Sequence, residues 1–214
     1  MCNSTKVNKQ KIISYTFKDN ISELNFFVNK TNFHAFNSLI NQESTFSFLY
    51  GPKKSGKSFL AHIWKNKYNA NKLSDNFEEL IKNKDNILID DLYFFDKEII
   101  FHLVNYCILN NLKILITSPC KINDINFQFN DLPSRLKTFS FLEINNPDDE
   151  MLITVLTKLL LDKQFIVNSN DIFEYILRRV ERSYKGIYDI VDKLDVLSLE
   201  KKRQLTIPLI KEIL

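Results

Sequence analysis

The chain has 214 residues, 44% of them hydrophobic and 26% charged, with 18 Phe and a net charge of +3. That length suits one α/β core, or a core of about 150 residues with a small satellite domain, and the apolar share is ample for burial, which excludes general disorder. A pI near 8.6 is too mild to argue for nucleic-acid binding by itself, and the absence of an N-terminal apolar region or an apolar run approaching 18 residues leads to the expectation of a cytoplasmic protein with no membrane partner.

Residues 1–44 read as an N-terminal segment, polar at first and then mixing short apolar pieces with Asn-rich turns. Thr45-Phe-Ser-Phe-Leu-Tyr50 predicts a strand. Directly after it comes Gly51-Pro52-Lys53-Lys54-Ser55-Gly56-Lys57-Ser58, and Phe59-Leu-Ala-His-Ile-Trp64 continues as a helix. The run has the form G-x-x-x-x-G-K-[ST], in which glycines let backbone N–H groups converge on phosphate oxygens. Lys57 would reach the β/γ-phosphates and Ser58 would hold Mg²⁺, with the phosphates at the N-terminus of the following helix.

Ile87-Leu-Ile-Asp90 predicts a buried strand, Lys97 to Leu109 a helix, Lys113-Ile-Leu-Ile-Thr-Ser118 another buried strand and Phe139 to Ile144 a last one. Such alternation builds a parallel sheet with helices on both faces, spanning 45–147 as an α/β core. The character changes after Pro147. Acids at Asp148, Asp149 and Glu150 open a helix, Leu152, Val155, Leu156, Leu159 and Leu160 form an apolar stripe, and two more stripes follow, so 148–214 predicts a small all-helical domain.

Asp90 and Asp91 end an apolar strand. The first carboxylate can hold the hydration shell of Mg²⁺ and the second can orient or deprotonate an attacking water, although a strand ending in Asp-Asp also suits a helix cap with a turn. Thr117 and Ser118 suit either a sensor of phosphate or a plain core strand ahead of the turn at Pro119. Arg135 is by itself either a solvated charge or a phosphate contact. Cys2, Cys107 and Cys120 form no C-x-x-C pair, which fits free thiols, and His34, His62 and His102 lack metal-ligand spacing.

Ile87-Leu-Ile-Asp-Asp-Leu-Tyr-Phe-Phe95 resembles the Walker B region of the bacterial replication initiator DnaA. Leu49 to Trp64 and Arg203 to Leu214 resemble Hda-type proteins, the shorter DnaA homologues. The resemblance runs from about Gln10 to Leu214 and implies an AAA+ core with a helical lid, binding ADP or ATP with Mg²⁺. It further implies a regulator that docks on the DNA-loaded sliding clamp of DNA polymerase III and stimulates hydrolysis of ATP held by DnaA, touching DNA only through the clamp. Because the chain ends where the AAA+ lid ends, a regulator is expected rather than an initiator. Self-association as a homodimer is left open.

Within this resemblance Arg135 matches an arginine finger acting in trans, and Lys185 stands where the family carries its sensor-2 Arg, with Arg182 almost one helical turn away. Lysine lacks the bidentate fork, which weakens the expected grip of the lid on nucleotide. Asp91 stands where many AAA+ ATPases have Glu, which argues for slow intrinsic hydrolysis. Gln10, Ile13 and Tyr15 match a clamp-binding peptide in which Lys11 replaces the usual Leu; a leader packing Ile12 and Ile13 on the core fits those residues equally well. A DnaC-type helicase loader and a small P-loop kinase are the competing readings.

Overall fold

The computed structural model describes residues 25–41, 44–74, 77–127, 131–167, 169 and 171–214. The expected clamp-binding positions Gln10, Ile13 and Tyr15 lie outside the described residues.

Five parallel strands form the sheet: β1 (Phe46–Tyr50), β2 (Asn71–Lys72), β3 (Ile87–Ile89), β4 (Ile114–Ser118) and β5 (Ser140–Glu143), in the spatial order β2-β3-β4-β1-β5. Period-two alternation sends successive apolar residues to opposite faces, and both faces are covered. On one side Phe48, Ile87, Ile89, Ile114 and Ile116 meet Ile100, Leu103, Val104 and Cys107 of α4 (Lys97–Asn110) and Leu132 and Leu136 of α5 (Asp131–Leu136). On the other, Leu49, Leu88, Leu115 and Leu142 meet Ala35 and Leu39 of α1 (Phe33–Ile40) and Leu60, Ala61 and Trp64 of α2 (Lys57–Lys67). Thus α1, which the sequence reading left inside an N-terminal segment, is part of the core. Its eight residues sit among Asn-rich turns that hide the helical period.

β2 also went unread, because Asn71 and Lys72 carry no apolar pattern and are exposed. Backbone bonds pair it with β3: the Asn71 N–H donates to the Asn86 carbonyl at 2.8 Å, and the Leu73 N–H to the Leu88 carbonyl at 2.8 Å. A short polar edge strand also discourages sheet-to-sheet pairing. Between β2 and β3 lies α3 (Phe77–Asn83).

The second part of the chain is helical as read: α6 (Asp149–Asp162), α7 (Asp171–Leu177) and α8 (Tyr184–Lys201), with a short α9 (Ile207–Ile210) in addition. Asp148 caps α6, accepting from the Met151 N–H at 2.8 Å. Leu152, Leu156 and Leu160 pack on Ile172 and Ile176 and on Ile187, Ile190, Val191 and Leu194, so the predicted stripes are the contacts that close this unit. Among the described residues no helix is long and apolar enough to cross a membrane.

Gly186 serves packing. The Ser183 Oγ caps α8 by accepting from the Gly186 N–H at 3.0 Å, and a Cβ at Gly186 would stand 2.4 Å from the Glu181 carbonyl oxygen. Backbone cannot yield there as a flexible side chain would. Gly186→Ala is therefore expected to lower stability by about 1–3 kcal/mol, the usual cost of overpacking, read as a shift of the denaturant midpoint. An unchanged midpoint would show that the turn relaxes freely.

Candidate functional site

The phosphate-loop residues lie between the exit of β1 and the start of α2. Gly56 has φ +88°, in the left-handed region, and a Cβ there would also crowd the Phe26 ring at 3.1 Å. A Cβ on Gly51 would stand 2.5 Å from the Ile144 carbonyl oxygen, so the loop is pressed against the chain leaving β5. No side chain caps α2 at Gly56, which leaves its first N–H groups for an anion.

Lys57 is folded across this loop: its Nζ donates to the carbonyls of Gly51 at 2.9 Å and Pro52 at 2.6 Å. Burial pulls its pKa below the ordinary ammonium value, with the charges of Asp91 and Asp90 acting the other way. Lys53 is exposed, whereas Lys54, at φ 66°, places its Nζ 5.0 Å over the Tyr188 ring of α8 and so ties the loop to the helical unit. Ser55 is buried under the loop.

Beside the loop, Asp90 leaves β3 and gathers three donors. Ser58 Oγ and Thr117 Oγ1 donate to its Oδ1, each at 3.0 Å, and Lys72 Nζ donates to its Oδ2 at 2.9 Å. Burial pushes the Asp90 pKa up, but the bond and charge of Lys72, joined by the two hydroxyls, outweigh it and hold the carboxyl below its ordinary value. Ser58 and Asp90, both expected from the sequence at a Mg²⁺ site, are hydrogen-bonded to each other, and the sequence reading missed Lys72.

Asp91 has φ 70° and ψ 99°, a rare conformation for a residue with a Cβ. Its N–H donates to Thr117 Oγ1 at 2.8 Å, and its Oδ1 accepts from the Tyr93 N–H at 3.1 Å, capping the 3₁₀ turn Leu92–Phe94. The two readings of the Asp-Asp pair therefore divide between the residues: Asp90 faces the Ser58 hydroxyl, and Asp91 caps a turn. Thr117, fully buried, positions both, while the Ser118 hydroxyl accepts from the Cys120 N–H at 3.3 Å and stabilises the turn after β4.

Next to Gly56 a cavity of about 230 Å³ separates the core from the helical unit. Phe26, Phe27 and Phe59 line it from the core side, and Met151, Val155, Tyr184 and Tyr188 from α6 and α8. Phe26 stacks between Phe59, at 5.9 Å, and Phe36, at 5.8 Å. Apolar and aromatic walls meeting a phosphate loop suit a flat heterocycle with its phosphates turned toward the loop. Phe26 lay in a stretch read as short apolar pieces among Asn-rich turns, and Tyr184 and Tyr188 were not singled out, although their spacing of four residues at the start of α8 puts them on one face of that helix.

Three residues named in the sequence analysis lie apart from this cluster. Lys185 donates to Asp189 at 2.8 Å, which raises its pKa, and it is not among the residues around the cavity. Arg182 is paired with Asp149 at the start of α6. Arg135 is exposed in the last turn of α5, ahead of β5, whereas the phosphate loop follows the exit of β1, the parallel neighbour of β5. Among the described residues no hydrogen bond or ion pair holds its guanidinium.

Residues 149–214 match the family model described as "Hda, lid domain". The chain is 28% identical over 199 residues to the chromosomal replication initiator protein DnaA of Buchnera aphidicola subsp. Cinara cedri, covering 78% of this chain and 45% of that protein. It thus spans less than half the length of this relative. Domain III of the Thermotoga maritima initiator DnaA superposes with a TM-score of 0.75 at 17% identity, covering 92% of this chain and 96% of that one. AMPPCP-bound DnaA from Aquifex aeolicus gives 0.61 at 20% identity, covering 83% and 65%. With the β2-β3-β4-β1-β5 order, these likenesses give the chain the AAA+ fold of DnaA domain III, and the match of residues 149–214 to the Hda lid supports its reading as an Hda-type homologue of DnaA.

Proposed function

We propose that this protein is a nucleotide-holding regulator of chromosome replication initiation that promotes hydrolysis of ATP bound to DnaA, acting together with the DNA-loaded sliding clamp. The observation that carries the reading is the separation of two parts. A complete phosphate loop and aromatic cavity suit retention of a nucleotide, while Arg135 stands exposed at the other end of β5, without a partner among the described residues, where it can reach a second subunit's nucleotide.

ADP or ATP fits the site, the base between Phe59 and the lid tyrosines and the phosphates over residues 51–58. Mg²⁺ fits as well: the Ser58 hydroxyl and the Asp90 carboxylate are neighbouring oxygen donors, the hard ligands this cation prefers, with the remaining positions left to water and phosphate. When bound, the cation would neutralise phosphate charge. Lys57 binds the phosphates by leaving the Gly51 and Pro52 carbonyls. The Asp91 carboxylate is occupied in capping Leu92–Phe94, so it is poorly placed to orient water, which supports slow hydrolysis by the protein itself.

Arg135 supplies the guanidinium for charge developing on the γ-phosphate of DnaA-bound ATP. DnaA and the clamp are the partners, with Gln10, Ile13 and Tyr15 proposed for the clamp and Lys185 for contact with nucleotide once released from Asp189. The test measures hydrolysis of labelled ATP preloaded on DnaA, with this protein and clamp-loaded DNA added together and singly. Acceleration only with both supports the reading; capture of the replicative helicase without any acceleration would move the protein to the helicase-loader class.

A further inference from the structure

Lys72 has no place in the nucleotide chemistry just described, yet it holds the carboxylate on which Mg²⁺ would depend. It ends β2, in register with Leu88 of β3, and Asp90 is two residues further along that neighbouring strand. Parallel pairing therefore brings the lysine stem alongside the exit of β3, and Nζ reaches Asp90 Oδ2 at 2.9 Å. The Asp90 side chain is only 9% exposed, and its other oxygen already accepts from Ser58 and Thr117. Three donors of this chain thus engage the carboxylate, and the one on Oδ2 is an ammonium.

We infer that Lys72 competes with the divalent cation for Asp90, so that nucleotide retention gains little from Mg²⁺. The inference rests on the nucleotide-binding reading above and concerns the same site. A fixed ammonium neutralises the carboxylate and repels a second cation over a few ångströms, where protein screening is weaker than that of water. Water that would link Asp90 to a hydrated cation must also displace an N⁺–H···O⁻ bond, among the stronger kinds of hydrogen bond.

The experiment titrates a fluorescent ADP analogue into the full chain, in EDTA and in Mg²⁺, and follows Mn²⁺ by electron paramagnetic resonance in parallel. The wild type is expected to show closely similar affinities in the two buffers. Lys72→Met and Lys72→Gln are expected to increase the Mg²⁺-dependent gain about tenfold and to tighten Mn²⁺ on the ADP complex correspondingly, while Lys72→Arg retains wild-type behaviour. Lys72 is 40% exposed on its side chain, so folded variants are expected and are checked by thermal melting. Equal metal dependence in the wild type, Met and Gln proteins overturns the inference. Failure of the wild type to bind the analogue in either buffer overturns the nucleotide-binding reading beneath it.

Discussion

Arg135→Ala is expected to abolish the stimulation of ATP hydrolysis on DnaA while leaving this protein's own affinity for ADP unchanged. Arginine fingers contribute about 10³–10⁵ in rate, because a planar cation meets the charge spreading over the γ-phosphoryl oxygens in the transition state. Two features make the variant interpretable. Arg135 is exposed, and its neighbours Leu132 and Leu136 carry the packing of α5 on the core, so truncation should leave the helix in place. The phosphate loop lies beyond the opposite end of the paired strands β1 and β5, so nucleotide held by this chain should not sense the change. Arg135→Lys is expected to restore little, since a point charge cannot bridge two oxygens in one plane. Undiminished stimulation by the alanine variant would remove Arg135 from the chemistry.

The second large effect is expected at Lys57. Its ammonium is buried enough to have a lowered pKa and is supplied with the Gly51 and Pro52 carbonyls as stand-in partners. Those carbonyls keep the side chain at the mouth of the loop, so little ordering remains to be done when phosphates arrive. Losing one charged hydrogen-bonding group of this kind costs about 1.5–3 kcal/mol, or roughly 10- to 150-fold in affinity. Lys57→Ala should therefore weaken ADP by roughly that factor and leave adenosine, which has no phosphate, unaffected. Calorimetric titration of both ligands makes the comparison. Equal loss for ADP and adenosine would mean that the substitution had damaged the cavity rather than the phosphate contact.

The aromatic cavity and the phosphate loop are linked through Gly56, whose missing Cβ leaves room for Phe26. Phe26 in turn stacks on Phe59, the first residue after the loop motif, and Lys158 of α6 lies 5.2 Å over the Phe59 ring. Lys54 reaches Tyr188 from the same loop. Core and lid therefore touch through side chains that also border the cavity, and movement of the lid and occupancy of the cavity share the same contacts.

What the sequence by itself determined is what local chain chemistry specifies. The phosphate loop is one continuous backbone path whose glycines and lysine are needed at set spacings, so residues 51–58 were legible as a unit. The buried strands at 87–90 and 113–118 were legible because parallel strands covered on both faces read as unbroken apolar runs, and the lid stripes because helices repeat on one face. The tertiary structure decided which polar side chains meet. Lys72 comes from an exposed two-residue strand with no pattern, and only its pairing with β3 carries it to Asp90. Thr117 could have been a sensor or a core residue until β4 was set beside β3, where one hydroxyl could bridge both carboxylate residues. Phe26 gained its place from close approach to a glycine distant in sequence. Spacing along the chain encodes the backbone; the ion pair on Asp90 and the cavity walls arise where separate elements converge, and no local period records that convergence.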